Sequence, residues 1–231
     1  MNKHISAKWE IFGLCWTTYV ITYLCRVNLS SVMEKLSAVT GTDTVQMGLI
    51  GSVFFFTYAI GQLINGYLGD RILPSRFIAF AITATGILNL AMSMTSHYAV
   101  LMVIWGMNGY VQSMLWGPMM RILSDHFDAG ERMSVSTGMS FSMVAGFIVS
   151  WAVFGKGFLL LSWQWYFLVP ALLALLISIL WIKSALSQRN ETPKGWLTKG
   201  FYSLEKFGIV VIIGYAVFSC LPGISTAPIQ L

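Results

Sequence analysis

Charge is scarce in this 231-residue sequence. Asp, Glu, Lys and Arg make up 10% of the chain, whereas an average soluble domain carries about 25% charged residues. Hydrophobic residues account for 56%, and the mean hydropathy is +0.71. So few charges cannot cover a globular surface, which excludes a soluble enzyme and a disordered chain. The composition predicts an integral membrane protein whose surroundings are the lipid bilayer.

Cysteine and the motifs of soluble catalysis are also lacking. Cys15, Cys25 and Cys220 lie inside apolar runs, and no CxxC pair is present, so we interpret all three as packing residues. The sequence has no HExxH, GxSxG, GxGxxG or Walker motif, and its histidines fall outside the apolar runs. We therefore expect no enzymatic activity, no metal and no cofactor.

Long apolar runs are what the sequence has instead. A helix needs about 20 apolar residues to cross a bilayer. By this measure we place spans at 11–33, 45–68, 77–94, 100–121, 135–154, 165–182 and 207–221. The predicted organisation is a six-helix bundle over 1–183, a basic linker over 184–206, and a seventh span in 207–231.

The positions of Lys and Arg predict the orientation of these spans. Eleven of the 14 fall in segments on the same side as the N-terminus and two on the other, with Arg26 inside the first span. Cytoplasmic segments carry the excess of Lys and Arg, so we expect a cytoplasmic N-terminus. The net charge of +5 is then a consequence of topology, and we expect no nucleic-acid partner.

Arg26 is the most unusual residue of the first span. It lies roughly 22 Å into that span at 1.5 Å per residue, past the midplane toward the outer side. A charge at such depth costs about 2.5–3.5 kcal/mol and usually faces a cavity or a bundle interior. No apolar run contains Asp or Glu. We interpret Arg26 as an anion-binding residue; the alternatives are a side chain reaching outward to Glu34 and pairing with a group outside this sequence.

Polar and aromatic side chains share the helical face of Arg26. Trp16, Tyr19, Tyr23, Arg26 and Ser30 follow spacings of three and four residues. An arginine can bind a phosphate or carboxylate with two parallel hydrogen bonds, and phenol hydroxyls suit a polar ligand. The alternative is that the tyrosines only pack.

Two other spans carry similar polar stripes. They consist of Tyr58, Gln62 and Asn65 in the second span, and Asn108, Gln112 and Trp116 in the fourth. Uncharged amides in a membrane helix face protein or water, so these residues predict either a cavity wall or hydrogen bonds between helices. Gly117-Pro118 predicts a kink near the end of the fourth span.

The loop after the second span resembles a signature of the major facilitator superfamily. It reads Gly66-Tyr67-Leu68-Gly69-Asp70-Arg71, with a further basic residue at Arg76. The resemblance implies a cytoplasmic gate in which an aspartate contacts a helix end and arginines bridge to neighbouring ends. The gate residues that it implies here are Gly66, Asp70, Arg71, Arg76, Arg121 and Arg132.

Within that superfamily the sequence resembles the N-terminal half of the organophosphate:phosphate antiporters. Tyr19-x3-Tyr23-x2-Arg26, Tyr58, the run from Asn108 to Arg121 and the linker start at Asn190 carry this likeness. It implies two inverted three-helix repeats, alternating access and a bacterial inner membrane. A small anionic substrate, most simply a phosphorylated molecule exchanged for phosphate, would contact Arg26, Tyr19, Tyr23, Tyr58, Gln62, Gln112 and Trp116.

Several positions depart from that family. The seventh span has no basic residue for a second phosphate contact, Gln62 replaces a lysine, and Met143 falls at or near a histidine position. The run after Arg26 is also similar to that of the anion:cation symporters. The alternatives are therefore a carboxylate symporter and a non-transporting sensor or remnant. Only one half of the fold is represented, so we expect a half chain that needs a separate C-terminal half as partner.

Overall fold

The computed structural model describes residues 2–155 and 161–187. Within these ranges every regular element is a helix: α1 (Asn2–Thr40), α2 (Thr44–Gly69), α3 (Pro74–Ser93), α4 (Tyr98–Gln112), α5 (Trp116–His126), α6 (Arg132–Gly155) and α7 (Trp165–Ser187). The last helix continues past residue 183, where the bundle was expected to end. The seventh span and the linker beyond 187 lie outside the described residues.

Among the described residues, four helices are long and apolar enough to cross a membrane: α2, α3, α6 and α7. Helix α1 has 39 residues, about 58 Å at 1.5 Å per residue, and extends beyond the predicted span at both ends. It ends at Gly41, whose φ of 68° is readily adopted only without a Cβ. Asp43 then caps α2, because its side chain accepts the Gln46 N–H while the Gln46 side chain accepts the Asp43 N–H.

The fourth span is two helices, an interruption of the kind that Gly117-Pro118 predicts. The chain leaves the helix between Gln112 and Trp116. The cause is Pro118, which has no N–H to donate to the Met114 carbonyl. Met114 and Leu115 instead donate to carbonyls three residues back. The interruption therefore lies just before the predicted Gly117-Pro118 kink, and Gln112 becomes the last residue of α4.

Helix α1 is central, because it contacts α2, α3, α5, α6 and α7. Around it α3 packs on α7, and α2 packs on α4. Gly109 permits the second of these contacts, since a Cβ there would collide with the Phe54 carbonyl. Gly146 of α6 lies equally close to Tyr23 of α1. Gly146 thus brings α6 near the face of α1 that carries Arg26, while Gly109 brings α4 near α2.

Contacts at the two ends of the bundle define which helix ends lie together. Lys8 pairs with Glu131, and Arg121 Nη1 donates to the Gly69 carbonyl at 2.9 Å. At the other end Lys35 Nζ donates to the Leu161 carbonyl at 3.0 Å. The start of α1 therefore shares one end with the last turn of α2 and the loop before α6.

Candidate anion-binding site

The Arg26 side chain is held at one nitrogen and lacks a partner at another. Its Nε donates to Gln112 Oε1 at 3.0 Å. Its Nη2 atom is buried and has no hydrogen-bond partner within residues 2–155 and 161–187. Among the described residues, no carboxylate forms an ion pair with it. The guanidinium charge is therefore not neutralised within the described part of the chain.

Aromatic rings surround the guanidinium. The Cζ atom lies 4.7 Å from the ring centre of Tyr58, 4.8 Å from that of Tyr23 and 5.6 Å from that of Phe54. The negative faces of such rings attract a cation, more strongly when water is excluded. Tyr58 and Tyr23 are buried. These rings stabilise the charge in part without supplying a counter-ion.

Tyr19 and Trp116 extend the aromatic group away from Arg26. The Tyr19 ring centre is 5.5 Å from that of Tyr23 and 4.9 Å from that of Trp116. The contact with Trp116 joins α1 to the first residue of α5. Five of the predicted substrate residues are thus brought together with Arg26: Tyr19, Tyr23, Tyr58, Gln112 and Trp116.

Gln62 is the predicted substrate residue that the structure does not bring to this group. It is half-exposed on α2, and no hydrogen bond joins it to Arg26 or to the amides around Gln112. The four-residue step from Tyr58 places it about 40° round the helix from that ring. Asn65 lies instead between helices, with its Nδ2 donating to Ser113 Oγ at 2.7 Å.

Sequence reasoning missed Phe54, Asn28 and Asn89. Phe54 lies one turn before Tyr58, and its spacing could have suggested a shared face, but an apolar ring is ordinarily a packing residue. Asn28 Nδ2 donates to Asn89 Oδ1 at 2.8 Å, and both side chains are fully buried. Only the position of Asn28, two residues after Arg26, hinted at this pair.

A sequence profile described as the Major Facilitator Superfamily matches residues 15–228. The chain belongs to the major facilitator superfamily. The resemblance inferred from the loop signature and the stripe of the first span is therefore confirmed. Both features lie inside the matched range.

Curated superfamily members match over most of this chain. It is 26% identical over 200 residues to a probable hexose phosphate transport protein of Chlamydia trachomatis serovar D, covering 87% of this chain and 42% of that protein. It is 29% identical over 180 residues to the glycerol-3-phosphate transporter of Bacillus subtilis, covering 74% and 39%. The chain thus spans less than half the length of either relative. Both are transporters, in agreement with the prediction that this chain is not an enzyme.

A solved structure shares the fold. The crystal structure of a bacterial homologue of the human lysosomal transporter Spinster, inward-facing and unoccupied, matches with a TM-score of 0.70 at 14% identity. The match covers 91% of this chain and 49% of that one. The predicted all-helical bundle of one major facilitator half is confirmed.

The residues of the superfamily's loop signature lie at one end of the bundle. Arg71 donates to the Tyr67 hydroxyl and stacks on that ring, while Arg132 donates to the Ser124 and Phe127 carbonyls. Arg121 bridges α5 to the Gly69 carbonyl. The other predicted gate residues are exposed: Gly66, Asp70 and Arg76. Within the described residues, Asp70 makes no ion pair with any of these arginines.

Proposed function

We propose that this chain is one half of a secondary transporter for a small organic anion, with Arg26 as the anion-binding residue. The observation that carries the proposal is the buried Nη2 atom of Arg26, which has neither a hydrogen-bond acceptor nor a carboxylate partner among the residues that the structure describes. A buried charge left in this state is costly, and a bound anion removes the cost. The names of the two relatives favour a phosphorylated molecule.

The contacts of the guanidinium favour a ligand with two oxygens on one centre. Because Nε already donates to Gln112, the edge formed by Nη1 and Nη2 faces the ligand. That edge offers two parallel N–H donors, which match two oxygens of a phosphoryl group. The rings of Tyr23 and Tyr58 flank the same position.

Orientation and mechanism complete the proposal. The end that carries Lys8, Arg71, Arg121 and Arg132 faces the cytoplasm, because cytoplasmic loops hold the excess of Lys and Arg. A second bundle, supplied from outside the described residues, would close the cavity. Rocking of the two bundles would alternate access to Arg26, and exchange for inorganic phosphate would drive uptake.

The test is equilibrium binding of radiolabelled phosphate to the full 231-residue chain in lipid nanodiscs. Arg26→Lys should weaken binding about tenfold or more, because an ammonium cannot reproduce the two-donor edge. Arg71→Lys is the matched control, since it makes the same change outside the site. Wild-type affinity in Arg26→Lys would contradict the assignment of the site.

Competition then identifies the class of substrate. Glycerol 3-phosphate and glucose 6-phosphate should displace labelled phosphate, whereas glucarate should not. Displacement by glucarate alone would leave Arg26 as an anion site and favour the carboxylate symporter instead. Binding without any exchange in proteoliposomes would favour a sensor or an incomplete transporter.

A further inference from the structure

A chain of buried amides leads from Arg26 into the centre of the bundle. The Arg26 Nε can only donate, so Gln112 must present Oε1 to it. The Gln112 Nε2 must then find acceptors, and it donates to Asn108 Oδ1 and to the Cys25 carbonyl, each at 3.3 Å. The donor requirement of one guanidinium nitrogen thus fixes the orientation of two amides.

The Cys25 carbonyl is the point on which these amides converge. It accepts from Asn108 Nδ2 at 3.3 Å and from Asn89 Nδ2 at 3.5 Å as well as from Gln112. In a regular helix this carbonyl accepts the N–H of Leu29. Here Asn28 Oδ1 accepts that N–H at 2.9 Å and so competes for it. The backbone one residue before Arg26 is therefore available to side chains of α3 and α4.

Asn28 connects the network of α1, α3 and α4 to a further helix, α7. Its Nδ2 donates to Asn89 Oδ1 at 2.8 Å and to the Tyr166 carbonyl at 3.1 Å, at the start of α7. The four amides Asn28, Asn89, Asn108 and Gln112 are all between 0% and 1% exposed. Apolar side chains would pack these helices without the cost of burying amides. A fully bonded amide chain that ends on the buried Arg26 guanidinium indicates a role in orienting that group.

We propose that Asn108, supported by Asn28 and Asn89, is a positioning residue for Arg26. It holds the Gln112 amide with Oε1 toward Nε, so that the Nη1 and Nη2 edge faces the ligand. The inference rests on the proposed function, because it assigns the geometry of the same anion site. Without the Asn108 acceptor, the Gln112 NH₂ group keeps only the Cys25 carbonyl as its partner, so the Oε1 atom that receives the Arg26 Nε–H is held less firmly and the guanidinium loses its fixed direction.

The test is a double-mutant cycle on phosphate affinity in nanodiscs. Asn108→Leu should weaken phosphate binding about tenfold in the Arg26 background. In an Arg26→Lys background it should cost less than about twofold, because a lysine has no second edge to orient. An equal loss in both backgrounds would show a general structural role and overturn the proposal.

The matched control is Asn65→Leu. Asn65 is also a buried amide between helices, bonded to Ser113, yet it is not joined to the chain that ends on Arg26. It should retain wild-type phosphate affinity, although both variants lose a buried hydrogen bond. Equal losses of affinity in Asn65→Leu and Asn108→Leu would contradict a specific role for Asn108.

A second readout does not depend on any ligand. In protein labelled with ¹⁵N-arginine, the Nε–H signal of Arg26 is assigned by its disappearance in Arg26→Lys. Its hydrogen exchange should be at least about tenfold faster in Asn108→Leu and unchanged in Asn65→Leu. If the wild-type chain binds no phosphate, this measurement still decides the positioning role: faster exchange supports it, and unchanged exchange overturns it.

Discussion

Lys8 and Arg26 are two cations on the same helix, and both lie over aromatic rings. They differ in whether a carboxylate neutralises the charge. Lys8 Nζ lies 5.3 Å from the ring centre of Phe127, and 2.6 and 2.8 Å from the two carboxylate oxygens of Glu131. Arg26 lies over three rings and bonds the Gln112 amide, and no carboxylate in the described part of the chain pairs with it. Aromatic contacts are common to both sites.

The presence or absence of a carboxylate separates the two sites. At the end of the bundle, the carboxylate of Glu131 neutralises the charge of Lys8, so no ligand is needed there. The pair joins α1 to the loop before α6. Inside the bundle, an amide accepts one hydrogen bond from Arg26 but carries no charge. A buried cation without a carboxylate partner therefore marks a binding site more clearly than the aromatic rings around it.

The largest expected effect comes from making the Arg26 site resemble the Lys8 site. Gln112→Glu places a carboxylate at the atom that accepts the Arg26 Nε–H, and this supplies the missing counter-ion. Phosphate affinity should fall about a hundredfold or more, because the ligand must now compete with a resident anion. Radiolabelled phosphate binding in nanodiscs measures the loss.

Gln62→Glu is the control for this change. It adds the same charge on α2 at a half-exposed position that does not accept the Arg26 Nε–H. We expect a clearly smaller loss of phosphate affinity than in Gln112→Glu. Equal losses would mean that a negative charge anywhere on this side of the bundle is enough to weaken phosphate binding. The position of Gln112 beside Arg26 would then not explain the effect.

An intermediate effect is expected from loosening the rings while leaving the charges alone. A Cβ at Gly109 would collide with the Phe54 carbonyl, so Gly109→Ala must push α2 away from α4. Overpacking of this kind costs about 1–3 kcal/mol of stability. Phe54 and Tyr58 would move away from Arg26, and we expect both the Tm and phosphate affinity to fall.

Gly51→Ala is the matched change on α2, because a Cβ at Gly51 meets nothing within 4 Å. It should leave the Tm equal to or above that of the wild type, since alanine favours the helix. A Gly109→Ala variant as stable as Gly51→Ala would contradict the close contact between α2 and α4.

The smallest effect is expected at the balanced site. Glu131→Gln removes the ion pair with Lys8, and exposed pairs contribute little, so the Tm should fall by about 1–2 °C. Phosphate affinity should not change. A loss of affinity comparable to that of Gln112→Glu would show that the two sites are not independent.

The pH dependence of that pair has a defined sign. The hydrogen bond from Lys8 holds the pKa of Glu131 below its ordinary value of 4.5. The stabilisation is therefore present above about pH 4.5 and is lost as the pH falls through the lower pKa of the folded chain. Thermal unfolding followed from pH 7 down to below the lowered pKa of Glu131 should show this loss in the wild type and not in Glu131→Gln.

The parts of the fold and site that the sequence predicted are those that depend on one helix at a time. The helical spacing of Tyr19, Tyr23 and Arg26 was enough to place them on one face. Contacts across helices were not predictable in this way, because they depend on crossing angles and on close approach at residues such as Gly109. This is why Phe54 and the Asn28–Asn89 pair were missed and Gln62 was included.

The fourth span shows the same limit in another form. Gly117-Pro118 signalled an interruption, but the sequence could not show that the helix ends at Gln112, several residues earlier. That position depends on which carbonyls lose their donors, and on Ser113 Oγ bonding the Tyr110 carbonyl at 2.6 Å. The seventh span and the linker beyond 187 remain predictions.

The length of α1 has a mechanical consequence. The helix runs from Asn2 to Thr40 without a proline, so a rotation about its axis would turn the whole helix. Lys8 and Arg26 would then rotate together. A roll of about 20° would sweep side-chain tips at roughly 6 Å from the axis through about 2 Å. A rotation of α1 that begins at Arg26 would therefore also move Lys8 relative to Glu131, near the other end of the same helix.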